Sequence, residues 1–408
     1  MSIMVRYIAC CKTYTYTSSF SHIYIDKREF KGCKFSLSNS FAEPLSMPEL
    51  INKVKATGNT SLLEMYNSHD LEYVPNGGSL DLRQDIAHTI YEDKLSAENV
   101  LVSPGAQVAI QTAALAFATN GHSIVFTPGY QSTVESPLWA VNNEGITKIQ
   151  RLPSNNWQVD VQKLREAIIP NKTKFLILNE PNNPSGLVMS VELQQQVIDV
   201  CREHDIIILC DEVYRLLEHD DDARLPPIAN VYEKGISCVT MSKPWGGCGI
   251  TIGWLACQDM SMIQQLIDVQ YFGCACVSRA SEIQGRMVLQ VSDMILKERR
   301  EIIFQNKALL QDFIENKYKE RFEWNRPNAG AICFVKFKGP YTSEQLGRLL
   351  ADASISIKPA YCFTDDITEE VDSYFRIGFG EKKMPLALNA LGKFVDDHEE
   401  QWRHQRAL

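Results

Sequence analysis

The stretch ISCVTMSKPWGGCG, residues 236–249, decides the fold, because it joins a short apolar run to a lysine and a glycine-rich turn. The run Ile236–Met241 has the length and composition of a buried strand. Lys243 follows two residues later, with the hydroxyl residues Thr240 and Ser242 just before it and glycines after it. An amine at the carboxyl end of a buried strand indicates a ligand site in an α/β sheet.

Apolar runs of the same kind recur along the chain and alternate with helical stretches. The other runs are Val100–Ser103, Ser123–Thr127, Lys174–Asn179, Ile206–Cys210 and Thr251–Cys257. Between the first two lies the alanine-rich stretch Gly105–Thr119, which is typical of a helix. Continuous apolar strands alternating with helices predict an α/β fold whose mostly parallel sheet is covered on both faces. Ligands of such sheets bind beyond the carboxyl ends of the strands.

Residues with chemical function follow the predicted strands at this edge of the sheet. In chain order they are Gly105, Tyr130, Asn183, Asp211, Tyr214 and Lys243. Pyridoxal 5'-phosphate (PLP) needs a lysine that holds it as a Schiff base and an acid that keeps its pyridine nitrogen protonated. A lone lysine is usually a solvated surface group, whereas this ordered set is hard to produce by chance. The set therefore predicts one composite PLP site.

The composition of the chain restricts its partners. With 408 residues, 45% of them hydrophobic and 22% charged, the chain is long enough for two soluble globular domains. The net charge of −9 argues against a nucleic-acid partner, because there is no basic surplus to neutralise phosphates. No apolar run reaches the roughly 18 residues of a transmembrane helix, so we expect no membrane partner.

Twelve cysteines are scattered along the chain without a C-x-x-C pair. Several, including Cys210, Cys238, Cys257 and Cys333, lie in apolar runs, where a buried thiol acts as a small hydrophobic group. We therefore expect structural thiols and no metal site. Reduced thiols fit a cytoplasmic protein.

Changes in sequence character predict four regions. Residues 1–34, rich in Ser, Thr and Tyr, are expected to be a disordered extension and not a targeting signal. Residues 35–65 are expected to pack on the small domain or over the cleft. Residues 66–315 are expected to form the large PLP-binding domain, and residues 316–408 a small α+β domain. The strand-like runs of the small domain are Ala331–Phe337, Ser354–Lys358 and Tyr374–Gly378.

From about residue 70 onward the chain resembles the class I/II aminotransferase family of fold-type-I PLP enzymes. The resemblance rests on motifs that occur in the family's order. They are Tyr73-x4-Gly78, Gly105-Ala106-Gln107, Pro128-Gly129-Tyr130, Asn183-Pro184-Ser185-Gly186, Asp211-x2-Tyr214, Ser242-Lys243 and Phe375-Arg376-Ile377. This resemblance implies the PLP-dependent transferase fold of aspartate aminotransferase, PLP as cofactor and a homodimer.

The resemblance also implies roles around the cofactor ring. Lys243 would be the Schiff-base lysine, and Asp211 would pair with the pyridine nitrogen. Tyr214 and Asn183 would hydrogen-bond the ring hydroxyl, and Asn183 would also contact the substrate. Tyr130 would stack on the ring, although an aromatic residue after Pro-Gly is also a common turn residue.

Further roles concern the cofactor phosphate and the substrate. Gly105, Ala106 and Gln107 would open the helix that receives the phosphate, since a helix N-terminus offers free N–H groups to a dianion. Tyr73 would reach the phosphate of the neighbouring subunit, unless it belongs to the core. Arg376 would hold the substrate α-carboxylate, because a guanidinium forms two parallel hydrogen bonds with it.

The chain departs from the family pattern where an arginine normally contacts the phosphate. Thr251 stands there, and its hydroxyl supplies no positive charge. Thr240 and Ser242, whose hydroxyls precede Lys243 in sequence, are expected to bind the cofactor as well. We hypothesise that Arg279 supplies the missing charge; the alternative is a surface or helix-capping arginine.

A second departure concerns the substrate. The segment from Phe35 to Met47 resembles the N-terminal stretch of a subgroup that includes capreomycidine synthase, whose members act on arginine derivatives. In that case Glu43 could bind a guanidinium through two hydrogen bonds. The alternative is that Glu43 is an exposed residue before a proline.

Three functions remain open at this point. Transamination of a small α-amino acid with a keto acid co-substrate is the leading expectation. Cyclisation or elimination on hydroxyarginine is the alternative, and it uses the same site. A non-catalytic PLP-fold regulator is disfavoured, because the net charge is acidic and only about 35 residues precede the recognisable part.

Overall fold

A computed structural model describes residues 33–406, with side chains described up to residue 402; the predicted extension, residues 1–34, lies almost entirely outside this range. The strands are β1 Phe35–Ser36, β2 Val100–Ser103, β3 His122–Thr127, β4 Ile146–Gln150, β5 Thr173–Asn179, β6 Ile207–Asp211, β7 Gly235–Thr240, β8 Gly253–Ala256, β9 Phe322–Trp324, β10 Ile332–Phe337, β11 Ile355–Ser356, β12 Lys358–Pro359 and β13 Tyr374–Gly378. The helices are α1 Met47–Ala56, α2 Ser61–Ser68, α3 Leu80–Tyr91, α4 Ala106–Phe117, α5 Gln131–Glu135, α6 Val161–Ala167, α7 Val191–Glu203, α8 Ile228–Val231, α9 Met260–Gly273, α10 Arg279–Gln290, α11 Ser292–Asp312, α12 Ser343–Asp352, α13 Glu369–Asp372 and α14 Met384–Arg406.

Seven strands form the central sheet of the large domain, in the order β2-β8-β7-β6-β5-β3-β4. All neighbours are parallel except β8, which runs antiparallel to both β2 and β7. The predicted mostly parallel α/β sheet is therefore confirmed.

Strand β5 shows why the sheet is covered on both faces. Phe175 and Ile177 pack into the core on one side, whereas Leu176 and Leu178 pack into the core on the other. Side chains alternate along a strand, so a continuous apolar run requires two covering layers. This arrangement leaves the carboxyl ends of β3, β5, β6 and β7 at one edge.

The small domain is built on a second, antiparallel sheet with the order β12-β13-β10-β9. Strand β13 lies between β12 and β10, with Arg376 opposite Lys358 on one side and Phe334 on the other. Directly opposed residues project from the same face of an antiparallel sheet. Arg376 and Lys358 therefore lie side by side.

The predicted domain boundaries need two corrections. Strand β1 pairs with β11 of the small domain, but Leu50, Val54 and Leu63 of helices α1 and α2 belong to the large-domain core. The segment 35–65 is thus divided, because the apolar faces of α1 and α2 cover the large domain. Helix α11 also spans both cores, with Ile295 in the large one and Ile303 in the small one. The boundary expected at residue 316 therefore lies after a helix that already contributes to both cores.

Between β1 and α1 the chain crosses from one domain to the other in an irregular segment, residues 37–45, which we call the strap. Its backbone bonds first to the small domain and then to the large one. Gly378 N donates to Leu37 O, Ala42 N donates to Lys243 O, and Leu45 N donates to Gly246 O. The strap therefore ties the two domains together through its backbone. Within the part of the chain described, no helix is long and apolar enough to cross a bilayer.

Candidate active site

The carboxyl ends of β5 and β6 are joined by an amide network. Asn179 and Asp211 are register partners at the last positions of these strands. The side chain of Asn179 donates to Asp211 O at 2.9 Å and accepts from Asn183 N at 2.6 Å. The sequence singled out Asn183 and Asp211; Asn179, which fixes both backbones, was missed because an amide at a strand end has many ordinary uses.

Asp211 is a buried carboxylate at the centre of this edge, with 2% of its surface exposed. Burial raises the pKa of Asp211 to about 7, and the hydrogen bond from Val213 N and the charge of Lys243 oppose that shift. Val213 N lies 3.3 Å from Asp211 Oδ1. A carboxylate buried in this way favours a cationic partner, because desolvation penalises its charge.

Lys243 lies just beyond β7, on the same side of the sheet as Asp211. Its Nζ donates to Ser40 Oγ at 3.0 Å and lies 6.0 Å from the ring centroid of Tyr214. Burial lowers the pKa of Lys243 to about 8, and the positive charges of Arg376 and Lys358 lower it further. A substantial fraction of this amine is therefore neutral near physiological pH, as a nucleophile or a base requires.

Arg376 reaches the site from β13 of the small domain and is buried. Its Nη1 donates to Asn183 Oδ1 at 2.9 Å, and its Nη2 donates to Ser38 O of the strap at 2.7 Å. The guanidinium lies over the ring of Phe363, 5.2 Å from its centroid. Arg376 and Asn183 were both predicted as site residues, and the structure brings them into direct contact across the two domains.

Two tyrosines lie near Asp211 and Arg376. Tyr214 is fully buried, and burial raises its pKa to about 12, with a hydrogen bond to Ser40 opposing the shift. Tyr130 precedes helix α5, and burial raises its pKa against a hydrogen bond to Ser132. Each phenol is influenced by the charges of Asp211 and Arg376, so both rings belong to the same site.

Helix α4 presents its N-terminus at the end of the site. Its first residue, Ala106, follows Gly105 at φ 85°, a conformation that favours glycine, and in the described chain no side chain caps this helix end. A Cβ added at Gly253 would lie 2.7 Å from Ala106 N, so a glycine there keeps this helix end open. Gln107 is exposed in the first turn of the helix. The free N–H groups form a ready anion site.

Two hydroxyls continue from β7 beside Lys243. Thr240 Oγ1 and Ser242 Oγ lie 3.2 Å apart, and Thr240 Oγ1 also donates to Ile252 O at 3.0 Å. Thr251 adjoins Ile252, with φ 56° and an exposed side chain. Since β-branched residues rarely adopt positive φ, this turn is strained.

The remaining predicted residues lie farther from Lys243 or have other contacts. Arg279 begins α10, with its Nη1 3.9 Å from Glu72 Oε2. Tyr73 is 90% exposed in the single chain, so it is not a core residue. Glu43 is half-buried in the strap, and its Oε2 accepts from Lys382 N at 2.7 Å. One carboxylate oxygen of Glu43 is thus already engaged.

These residues fit PLP. Asp211 is a buried carboxylate that calls for a cationic partner such as a protonated pyridine nitrogen, Lys243 is an amine with a lowered pKa, and the N-terminus of α4 suits a phosphate. All three groups stand at the same edge of the sheet.

Ser40 and Lys358, which also face Lys243, were not identified from sequence, because neither belongs to a motif.

Comparisons with known proteins agree with this chemistry. The family profile described as aminotransferase class I and II matches residues 46–391. A probable aspartate aminotransferase of Methanocaldococcus jannaschii is 23% identical over 320 residues, which cover 76% of this chain and 81% of that protein. A tyrosine aminotransferase of Mus musculus is 26% identical over 362 residues, covering 80% of this chain and 73% of that protein.

Solved structures share the fold. A PLP-dependent aminotransferase of Streptococcus suis superposes with a TM-score of 0.82 at 24% identity, covering 93% of this chain and 97% of the other. The PLP-dependent cyclase OrfR superposes with a TM-score of 0.78 at 19% identity, covering 91% of this chain and 96% of the other. At these identities the likeness extends to the fold alone.

Proposed function

The chain belongs to the class I and II aminotransferase family and uses PLP, and from this premise we propose that it transfers the amino group of a small α-amino acid through Lys243. This assignment rests on two residues at one edge of the sheet whose pKa values are shifted in opposite directions. The pKa of Asp211 is raised to about 7 and that of Lys243 is lowered to about 8. Such pKa shifts are typical of residues that transfer protons in active sites.

Each residue then has a task that its position allows. When bound, PLP draws electrons from the α-carbon of the amino acid. Asp211 would hold the ring nitrogen protonated, and Lys243 Nζ would remove the proton from the α-carbon as a general base. Tyr130 would stack on the ring and Tyr214 would hydrogen-bond its hydroxyl, while Asn183, which accepts a hydrogen bond from Arg376 Nη1, would orient both the ring and Arg376.

The cations of the cleft favour a carboxylate substrate. Arg376 is proposed to bind the α-carboxylate by exchanging its hydrogen bond to Ser38 O for two parallel ones. Lys358 stands beside it across the β12–β13 pair and adds a second positive charge to the field at Lys243. The same field attracts the keto acid that closes the reaction cycle.

Cyclisation of an arginine derivative is the second candidate. It rests on Glu43, whose second carboxylate oxygen could accept from a guanidinium, and on the resemblance of the strap segment to cyclase sequences. The positive charges of Arg376 and Lys358 oppose this choice, since a guanidinium side chain would be a third cation in the cleft.

A panel of amino acids, monitored by cofactor absorbance and mass spectrometry, separates the two functions. An aminotransferase is expected to lose the yellow PLP absorbance with one amino acid alone and to recover it with a keto acid. A cyclase keeps the yellow form and releases a cyclic guanidine product without a keto acid. Retention of the PLP absorbance with every amino acid and keto acid would contradict transamination.

We further propose that Arg279 supplies the phosphate charge that Thr251 lacks. Arg279→Ala is then expected to weaken PLP binding by about tenfold, because one charge-assisted hydrogen bond is worth roughly 1.5 kcal/mol or more. The dissociation constant is measured by fluorescence titration of the cofactor-free chain. The control is Arg165→Ala, since Arg165 pairs with Glu203 on the exposed surface. Equal affinities for all three proteins would assign Arg279 to the surface.

A homodimer and a cytoplasmic location complete the proposal. Leu71, Tyr73, Tyr271 and Phe272 are each more than half exposed in the single chain. Exposed aromatic residues of this kind mark protein interfaces. In the dimer, Tyr73 would reach the partner's cofactor phosphate.

A further inference from the structure

The strap contacts three of the proposed active-site residues within a few positions of each other. Ser38 O accepts from Arg376 Nη2 at 2.7 Å, and Ser40 Oγ accepts from Lys243 Nζ at 3.0 Å. The Ser40 hydroxyl also lies close enough to Tyr214 to counter part of the rise that burial causes in the pKa of that phenol. Because a hydroxyl has one donor and two acceptor sites, Ser40 can accept from the amine while it donates to the phenol.

Close backbone packing holds the strap in this position. A Cβ added at Gly378 would overlap Asn39 O, and one added at Gly246 would overlap Glu43 O. Asn39 Nδ2 also donates to Glu381 Oε2 at 2.6 Å. The strap thus lies in van der Waals contact with both domains, so the hydroxyl of Ser40 has little freedom to move away from Lys243.

Ser40 differs from the other groups around Lys243 because it accepts a hydrogen bond from the amine. The charged or titratable groups that act on the amine are Asp211 from β6, Arg376 from β13, Lys358 from β12 and Cys248 from the turn after Lys243. These groups act on the amine through their charges, whereas Ser40 accepts a hydrogen bond from Nζ. A neutral acceptor at this position stabilises the protonated form of the amine.

We propose that Ser40 is a positioning residue of the active site, whose hydroxyl holds the released amine of Lys243 next to Tyr214 and retains its proton there. The inference deepens the proposed function, because it concerns the state in which Lys243 is free of the cofactor. The strap also contacts both Arg376 and Lys243. A carboxylate that displaces Ser38 O from Arg376 would therefore move the same short segment that carries Ser40.

The test is the pH dependence of Lys243 labelling in the full-length chain freed of PLP. Trinitrobenzenesulfonate reacts with the neutral amine, and mass spectrometry of the peptide that carries Lys243 gives the midpoint. Loss of the acceptor in Ser40→Ala is expected to lower the midpoint by about 0.5–1 pH unit. Labelling at pH 7 should therefore be about three to ten times faster than in the wild type.

Two further variants distinguish positioning from a general effect on the strap. Ser40→Thr keeps the hydroxyl and should restore the wild-type midpoint. Ser36→Ala removes a hydroxyl from β1 that bonds only to Ser38 among the described contacts, and it should leave the midpoint unchanged. An unchanged or raised midpoint in Ser40→Ala, with circular dichroism like the wild type, overturns the inference. If Ser40→Ala does not fold, Ser40→Gly is measured and judged by the same criterion.

PLP uptake by the wild type is recorded on the same preparation. Its failure would contradict the proposed function, but the comparison of midpoints would stand, because labelling is measured without the cofactor. The two ideas can therefore fail separately.

Discussion

Lys243→Ala is expected to lower kcat by at least about 10⁴-fold, because the variant loses both the covalent anchor of PLP and the base at the α-carbon. The measurement is keto acid formation with the best substrate of the panel, at saturating PLP. The yellow absorbance that persists through dialysis in the wild type should also disappear, since only an amine can hold the cofactor covalently.

Lys393→Ala is the matched control, because Lys393 is an exposed lysine on α14. It should retain wild-type rate and cofactor content. If Lys243→Ala kept more than about a hundredth of the wild-type kcat, a base other than Lys243 would be at work.

Asp211→Asn is expected to lower kcat by about 10³-fold, because an amide of nearly the same shape cannot keep the ring nitrogen protonated. PLP should still bind, but with lower affinity. Asp205→Asn makes the same chemical change just before β6, at an exposed aspartate paired with Lys234, and should leave the rate unchanged. Comparable rates for the two variants would remove Asp211 from the mechanism.

Although Asp211→Asn lowers the rate, it is expected to stabilise the cofactor-free chain above neutral pH. The folded state raises the pKa of Asp211 from 3.8 to about 7, so between these pH values the folded chain keeps a proton that the unfolded chain has released. The contribution of Asp211 to stability therefore falls as pH rises through this window, by at most about 4 kcal/mol. Asp211→Asn should melt at a higher temperature than wild type at pH 8, and this advantage should vanish near pH 4.

Much of the fold could be predicted because the runs of β3, β5, β6 and β7 are buried on both faces and are mostly apolar. Strand β4, with the sequence Ile146–Gln150, was missed, since it lies at the sheet edge and three of its five residues are polar. Strand β9 was missed for a related reason: it contributes only Phe322–Trp324 to the edge of the small sheet.

The site could be predicted where chemistry requires a residue type at a strand end, as for Asp211 and Lys243. It could not be predicted where the contact depends on the path of the chain. Ser40 is one of many serines, and only the course of the strap brings it to Lys243. Likewise, the pairing of β12 with β13 is what places Lys358 beside Arg376.

The route of the strap also affects how the molecule is made. Ser38 and Arg376 are 338 residues apart in sequence, and Ser40 and Lys243 are 203 apart, yet each pair is in direct contact. Closing such long loops costs conformational entropy and slows folding. During synthesis, a ribosome must release nearly the whole polypeptide before the catalytic centre can assemble. A cut in the strap between Phe41 and Glu43 would consequently weaken the active site and also disturb the small-domain core, because Ala42 belongs to that core.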